Sequence, residues 1–567
     1  MDHKWVYKEL PDSKKVNNLS EELNINPILA SILLQRNVKT FADAKSFFRP
    51  TLNDLHDPFL MEDMDVAVKR LGQAIHNQES IMIYGDYDVD GTTSVALVYC
   101  FLRRHHSHLL YYLPDRYSEG YGLSKKGIDS AYEKNVKLII SLDCGIMANE
   151  MASYASTLGI DLIVCDHHLP GKTLPEATAI LNPKRRDCHY PYKELSGCGV
   201  GFKFMQAYCM ENGVDIAELY EYIDLLAVSI ASDIVPVDGE NRIFAYYGLE
   251  KLNENPRPGL KALIDVSGLR GKVTISGIVF GIGPRINAAG RMTHADLAVE
   301  LLVTDSFKDA EYIALKINSN NNERRNYDST ITQEAIKMIE EDEKIRSSKS
   351  TVLYKSDWHK GVIGIVASRC IDRYYKPTVI LTNSNGKATG SARSVDGFDV
   401  YQAISECADL LDQFGGHMYA AGLTLPVEKI DEFRKKFEQI VEERISTDQL
   451  IPRIMIDQVI PLEVINSKFL EILKQMAPFG PSNMQPVFVS EDLYVSIRPR
   501  ILKEEHLKFF VKQENSDVIH EAIGFGLAQY FELIDSGMRF KMAYTIEEND
   551  YLGQRSLQLY IKDIKFD

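Results

Sequence analysis

The chain has 567 residues, 45% of them hydrophobic and 25% charged, with a net charge of −16. That is the balance of a globular chain, too long for one compact domain, and three or four are expected. No apolar run approaches the roughly 18–20 residues of a membrane helix, and the acidic balance excludes polyanion binding spread over the whole surface while leaving room for a local basic groove.

Residues 1–8 hold no apolar core of the signal-peptide kind. The eight cysteines form no CxxC pair, and four of them (Cys100, Cys144, Cys165 and Cys209) fall in apolar segments, which predicts a cytoplasmic, reducing setting. Residues 1–75 read as small helices around an irregular connector. From Ser80 onward the pattern becomes regular. Residues 81–84, 110–113, 138–142, 162–165 and 179–181 read as strands, and 92–102, 125–134 and about 148–157 as helices. Such alternation means βαβ units and a parallel sheet.

Open parallel sheets bind ligands beyond the carboxyl ends of their strands. The four segments found there are Gly85-Asp86-Tyr87-Asp88-Val89-Asp90-Gly91, Pro114-Asp115-Arg116, Asp143-Cys144-Gly145 and Asp166-His167-His168. Four successive strand ends rich in carboxylate, arginine or histidine predict a metal site at one edge of the sheet. Residues two apart in an extended loop point the same way, so Asp86 and Asp88 can each meet a different ion. Asp90, ahead of Gly91, Thr92 and Thr93, is expected to cap the following helix. One carboxylate, Asp143, can bridge two ions. An apolar helix over 220–230 runs towards Asp233, which is poorly solvated there and needs a partner. Oxygen-rich ligand sets with a histidine suit Mn²⁺ or Mg²⁺. Two such ions about 3.5–4 Å apart support in-line phosphoryl displacement.

Glycines and arginines supply the anion side. Gly283-Pro-Arg285-Ile-Asn287-Ala-Ala-Gly290-Arg291 pairs two arginines with small residues. A polar, charged helical stretch over 296–345 reads as a connector, and a second α/β unit begins near Thr351. It carries Ser391-Ala-Arg393-Ser394, and Gly415-Gly416-His417, which reads as a glycine turn opening a helix and cradling an anion. After about residue 449 the pattern changes to period two with turns, and a small barrel is the natural closure. Tyr494, Phe509, Phe510, Tyr530 and Phe540 lie there beside Arg498, Arg500, Lys503 and Lys508. That mixture suits single-strand binding, although most of the aromatics are expected to fill the barrel.

Gly-Asp-Tyr-Asp-x-Asp-Gly, Asp-Cys-Gly, Asp166-His167-His168, Ala231-Ser-Asp233 and Gly415-Gly416-His417 resemble the DHH phosphoesterases. With Pro-Arg-Ile-Asn-Ala-Ala-Gly-Arg and Ser-Ala-Arg-Ser added, the set resembles the RecJ single-strand-specific exonucleases over roughly residues 50–567. The resemblance implies an α/β fold: a parallel-sheet DHH domain (76–290) and a smaller α/β DHHA1 domain (346–448) joined by a long helix (291–345). An N-terminal helical extension (1–75) precedes them, and a C-terminal all-β OB-fold (449–567) follows. It implies a monomeric 5′→3′ exonuclease in DNA repair and recombination, releasing mononucleotides from single-stranded DNA with two Mn²⁺ or Mg²⁺ ions. Single-strand-binding protein and a RecQ-type helicase are the implied partners. By the family pattern Asp88, Asp143, His167 and Asp233 hold one ion, and Asp86 and Asp143 the other. His168 contacts the scissile phosphate. Arg116, Ser391, Arg393 and either Arg285 or Arg291 bind the 5′ phosphate, with Asn287, Gly415, Gly416 and His417 also on the substrate. Many DHH enzymes carry a histidine ligand where this chain has Tyr84, so the Asp86 ion is expected to be the weaker one. Two rivals are a DHH phosphoesterase for short oligonucleotides or cyclic dinucleotides, and a non-catalytic scaffold like the replisome relative.

Overall fold

A computed structural model describes residues 2–292, 294–514, 516–551 and 554–566. The chain divides into two compact units, one of residues 38–322 and 475–485, the other of 1–37, 323–474 and 486–567.

The first unit is built on a five-stranded parallel sheet in the order Leu109–Tyr112, Ser80–Gly85, Val136–Leu142, Asp161–Cys165, Ala179–Leu181. The inner strands are contiguous apolar runs because helices cover both faces. One face packs under the helices Met64–His76, Val89–Leu102, Gly197–Asn212 and Ile223–Asp233. The other lies under Lys125–Glu133 and Asn149–Thr157. Register fixes the site: Gly85 is level with Leu142, Leu142 with Cys165, and Cys165 with Leu181. Asp86, Asp143 and Asp166 therefore leave the sheet side by side.

The second unit holds two large sheets and a two-stranded one. Five strands run in the order Gln413–His417, Ala420–Pro426, Lys387–Arg393, Thr378–Ser384, Thr351–Tyr354, with helices Ile363–Tyr374 and Ile430–Arg444 against them. The C-terminal strands Phe488–Leu502, His506–Gln513, Ile519–Gly524, Gln554–Phe566 and Phe540–Tyr551 close into a barrel, because the first also pairs with the last. Phe509 and Phe540 fill its core, whereas Tyr494, Phe510 and Tyr530 stay half-buried.

Two expectations need correction. Residues 1–75 are not one extension. Lys4–Tyr7 forms a parallel pair with Arg453–Ile456, and Trp5 packs on Ile456, Val489 and Ala543, so the first 37 residues belong with the barrel. Met64–His76 instead buries Met64, Val68 and Leu71 in the first unit's core. Gly415-Gly416-His417 opens no helix either. It ends an edge strand and turns back into Ala420–Pro426 as an antiparallel hairpin, since a run of small residues lets two strands approach closely where a helix would gain nothing from them. At Gly416, with φ near +150°, a Cβ would lie 2.3 Å from the Ala420 carbonyl oxygen.

Candidate metal centre

Asp143 leaves the third strand segment in a left-handed turn, φ 58°, held by its amide donating to the Cys165 carbonyl. Such a conformation in a non-glycine residue is costly and marks a position fixed for a purpose. The space beside it is kept open by Gly197, where a Cβ would lie 2.6 Å from that of Asp143.

Around Asp143 the acids and imidazoles converge. His167 Nε2 stands 3.2 Å from Asp143 Oδ1, 3.5 Å from Asp233 Oδ2 and 3.7 Å from Asp90 Oδ2. Two overlapping sets can hold an ion: Asp143, His167 and His168; and Asp90, His167 and Asp233. The buried atoms Asp86 Oδ2, Asp143 Oδ1 and both ring nitrogens of His167 have no hydrogen-bond partner. Four orphaned polar atoms in one buried cluster suit a cation, since burying such groups unpaired is otherwise costly. The electrostatics agree. Burial, then the neighbouring Asp90 and Asp88 charges, push the Asp143 carboxyl well above its ordinary value and Asp233 up to about 8. Burial and Asp88 push Asp86 up in the same sense, while burial pulls His167 down to the neutral imidazole a metal requires.

The helix entrance departs from the expectation in its cap, which is Asp88 and not Asp90. Asp88 is the N-cap of Val89–Leu102, its Oδ1 accepting from Gly91 N at 3.0 Å. Asp90 caps a different helix, with its oxygens accepting from Gly197 N (2.6 Å), Cys198 N (2.9 Å) and the Ser229 hydroxyl (2.6 Å). Capping turns on where the helix begins and on a segment over a hundred residues away, which local spacing does not contain. Asp88 keeps a second oxygen for an ion, and its charge acts on Asp86, Asp143 and Asp233.

Asp166 is fully engaged. Its Oδ1 accepts from the amides of His167 and His168 and from His168 Nδ1 at 2.8 Å, and its Oδ2 from Ile146 N. Burial pulls the His168 imidazole down, but the Asp166 hydrogen bond and charge outweigh it and hold its pKa at about 9. His168 is thus a half-exposed cation beside the cluster. The Tyr121 hydroxyl, which local sequence did not single out, donates to the Asp143 carbonyl at 2.7 Å, with its ring against His168. Tyr84 turns away: its hydroxyl donates to Gly122 O and its ring stacks on Tyr112.

Arg116 lies over the Tyr87 ring at 4.2 Å with its buried Nε unpartnered. Arg285 is buried and donates to the carbonyls of Gly281, Val266 and Ser267 and to Asn318. Arg291 is half-exposed and its charge reaches Tyr87, as that of Arg116 does. Asn287, on the same helix, is half-buried.

In the second unit, Arg393 Nη1 donates to Ser391 Oγ at 2.9 Å. Burial lowers its guanidinium's pKa, and among the described residues no carboxylate forms an ion pair with it. Gly364, in the first turn of Ile363–Tyr374, faces it: a Cβ there would lie 2.8 Å from Arg393 Nη2 and 2.9 Å from Ser391 Oγ. Gly364 lies outside the expected set, although glycine at a helix entrance is the available signal. His417 and its two glycines are exposed on their hairpin.

Comparisons with known proteins follow this division. Models of the DHH family, N-terminal domain, the DHHA1 domain and the RecJ OB domain match residues 80–230, 347–443 and 456–563. The single-stranded-DNA-specific exonuclease RecJ of Bacillus subtilis (strain 168) is 38% identical over 558 residues, spanning 98% of this chain and 70% of that protein. Its counterpart from Escherichia coli (strain K12) is 33% identical, spanning 89% of this chain and 90% of that protein. The crystal structure of RecJ from Thermus thermophilus in complex with Mn²⁺ shares the fold, with a TM-score of 0.85 at 24% identity, covering 99% of this chain and 79% of that one.

Proposed function

The chain belongs to the RecJ family of single-stranded-DNA-specific exonucleases, and on that premise we propose a metal-dependent 5′→3′ exonuclease that releases mononucleotides from single-stranded DNA. The observation that carries this reading is the buried cluster of unpartnered Asp86, Asp143 and His167 atoms where the parallel strands end. Asp88, Asp143, His167 and Asp233 would hold one Mn²⁺ or Mg²⁺ and Asp86 with Asp143 the other. Bound there, such ions lower the pKa of a water and neutralise charge on the phosphodiester.

The remaining steps belong to the side chains. His168, protonated and held by Asp166, donates to a non-bridging oxygen of the scissile phosphate. Asp90 keeps the helix starting at Gly197 pressed against Asp143 and so fixes that carboxylate. Arg116 and Arg291 serve the substrate backbone, and Arg285, committed to carbonyls, serves the fold. The Gly364, Ser391 and Arg393 cradle takes the terminal 5′ phosphate, a dianion favoured by a helix amino end and by a guanidinium with no carboxylate partner among the described residues. The exposed hairpin at Gly415, Gly416 and His417 allows close approach of the sugar-phosphate chain. The half-buried Tyr494, Phe510 and Tyr530 of the barrel offer stacking surface, a feature a phosphoesterase for dinucleotides does not need. Repair and recombination in the cytoplasm, with single-strand-binding protein and a RecQ-type helicase, complete the proposal for a monomeric enzyme.

A 5′-phosphorylated single strand labelled at either end tests the reading. The expected result is mononucleotide release from the 5′ end with Mn²⁺ or Mg²⁺, abolished in Asp143→Ala with strand binding retained. Preferred hydrolysis of dinucleotides, or turnover by Asp143→Ala, would overturn it.

A further inference from the structure

A cleft of about 740 Å³ opens in the first unit, away from the metal centre. Arg103, Arg104, Lys251 and Arg257 line it, against two lining carboxylates, Glu221 and Asp305. The cations outnumber the carboxylates on the lining itself, while two further carboxylates, Glu218 and buried Asp224, meet Arg104 and Arg257 from outside it. The two lining carboxylates are also well exposed. Asp305, which Arg103 meets at 2.8 Å, is 85% exposed, and Glu221, which Lys251 meets at 2.9 Å, is 58% exposed. Arg104 has only Glu218, at 3.8 Å, as an ion-pair partner among the described residues. An arriving anion can displace these partners without uncovering a buried charge.

The floor is rigid. Tyr222 lies between two guanidinium groups, Arg257 at 5.2 Å and Arg104 at 5.4 Å from its ring centre, and its hydroxyl donates to Cys100 O. Arg257 is fixed from below by buried Asp224 and by the Leu302 carbonyl. Tyr222 and Arg257 are also the N-cap residues of the helices Ile223–Asp233 and Pro258–Ser267, and neither supplies a side-chain cap. Two helix amino ends therefore meet at the same wall as the four cations, with the buried Asp224 carboxylate accepting from Leu225 N and Arg257 N behind them.

We propose that this cleft binds a small phosphorylated anion carrying one or two phosphoryl groups. Three guanidiniums around one space match tetrahedral oxyanions, which take bidentate hydrogen bonds from each planar fork. The volume lies within the range of small-molecule sites. Nucleic acid is disfavoured, because a chain of net charge −16 repels an extended polyanion over the surface beyond the cleft. The site is separate from the metal centre. Val89–Leu102 begins beside Asp88 and ends at Arg103, and Ile223–Asp233 begins at the cleft and ends at Asp233, so helices roughly 16–20 Å long intervene.

Calorimetric titration of the full chain in EDTA, with pyrophosphate and with adenosine monophosphate, tests the proposal at physiological salt. Expected is one site, below about 1 mM in dissociation constant, for at least one of the two probes. The preferred probe tells whether the natural source is a free phosphate species or a phosphate ester. Binding is expected to persist in Arg393→Ala and to weaken about tenfold or more in Arg103→Gln/Arg104→Gln. Lys251→Gln, remote from the Arg103 contacts, gives the same reading should the double variant fail to fold. No binding of either probe, binding lost in Arg393→Ala, or unchanged affinity in the cleft variants would overturn the proposal. So would weakened single-stranded-DNA binding in those variants, which would make the cleft part of the substrate track.

Discussion

Lys203 and Glu240 show how much a single pair can carry. Both side chains are fully buried, with the ammonium 3.0 Å from Oε1 and 2.6 Å from the His56 carbonyl, while Tyr190 donates to Oε2. Burial pulls the lysine below its ordinary pKa even with Glu240 beside it. Replacing Lys203 with methionine strands a buried carboxylate, and a loss of about 3–5 kcal/mol is expected in urea unfolding. Lys203→Met/Glu240→Gln should recover part of that loss, because it removes the charge as well as its partner. Asp88 and Asp90 make the complementary point: two acids two positions apart do different work because one meets its own helix and the other a helix that begins over a hundred residues later.

At the scale of elements, the amino end of Ile363–Tyr374 and the strand Lys387–Arg393 form one device. Gly364 is there because any side chain would enter the space between Arg393 and Ser391. Gly364→Ala is expected to raise KM roughly tenfold for a 5′-phosphorylated strand and to leave a 5′-hydroxyl strand nearly unchanged, a loss on the order of one charge-assisted hydrogen bond. Steady-state kinetics on the two substrates check it. The parallel sheet is the second device of this kind. Its register places Asp86, Asp143 and Asp166 level with each other, so a slip of one residue in any strand would dissolve the site.

At the scale of the molecule, the chain returns to its first unit after completing much of the second. Residues 475–485 belong with 38–322, tied by Val237 N to Pro481 O at 2.7 Å and by Arg242 to the Ala477 and Phe47 carbonyls at 2.9 Å. Arg242 also lies 3.8 Å over the Phe47 ring. Arg242→Ala should cost about 2–4 kcal/mol, from the lost hydrogen bonds and the unpaired carbonyls they leave. Limited proteolysis should then cut within 475–485 faster than in the wild-type chain.

The sequence by itself determined the parallel sheet and the barrel, and it put Asp86, Asp143 and His167 at strand ends and Asp233 at a helix end. Each buried strand is a contiguous apolar run, and a polar residue at its carboxyl end has one place to go. Only the tertiary structure decided which acid caps which helix, that Arg285 is buried against carbonyls while Arg291 is half-exposed, and that Gly415-Gly416-His417 is a hairpin. It also decided that Lys4–Tyr7 pairs with Arg453–Ile456 and that Gly364 faces Arg393. These depend on contacts between residues far apart in the chain, and local periodicity records which face a residue shows but not what it meets there.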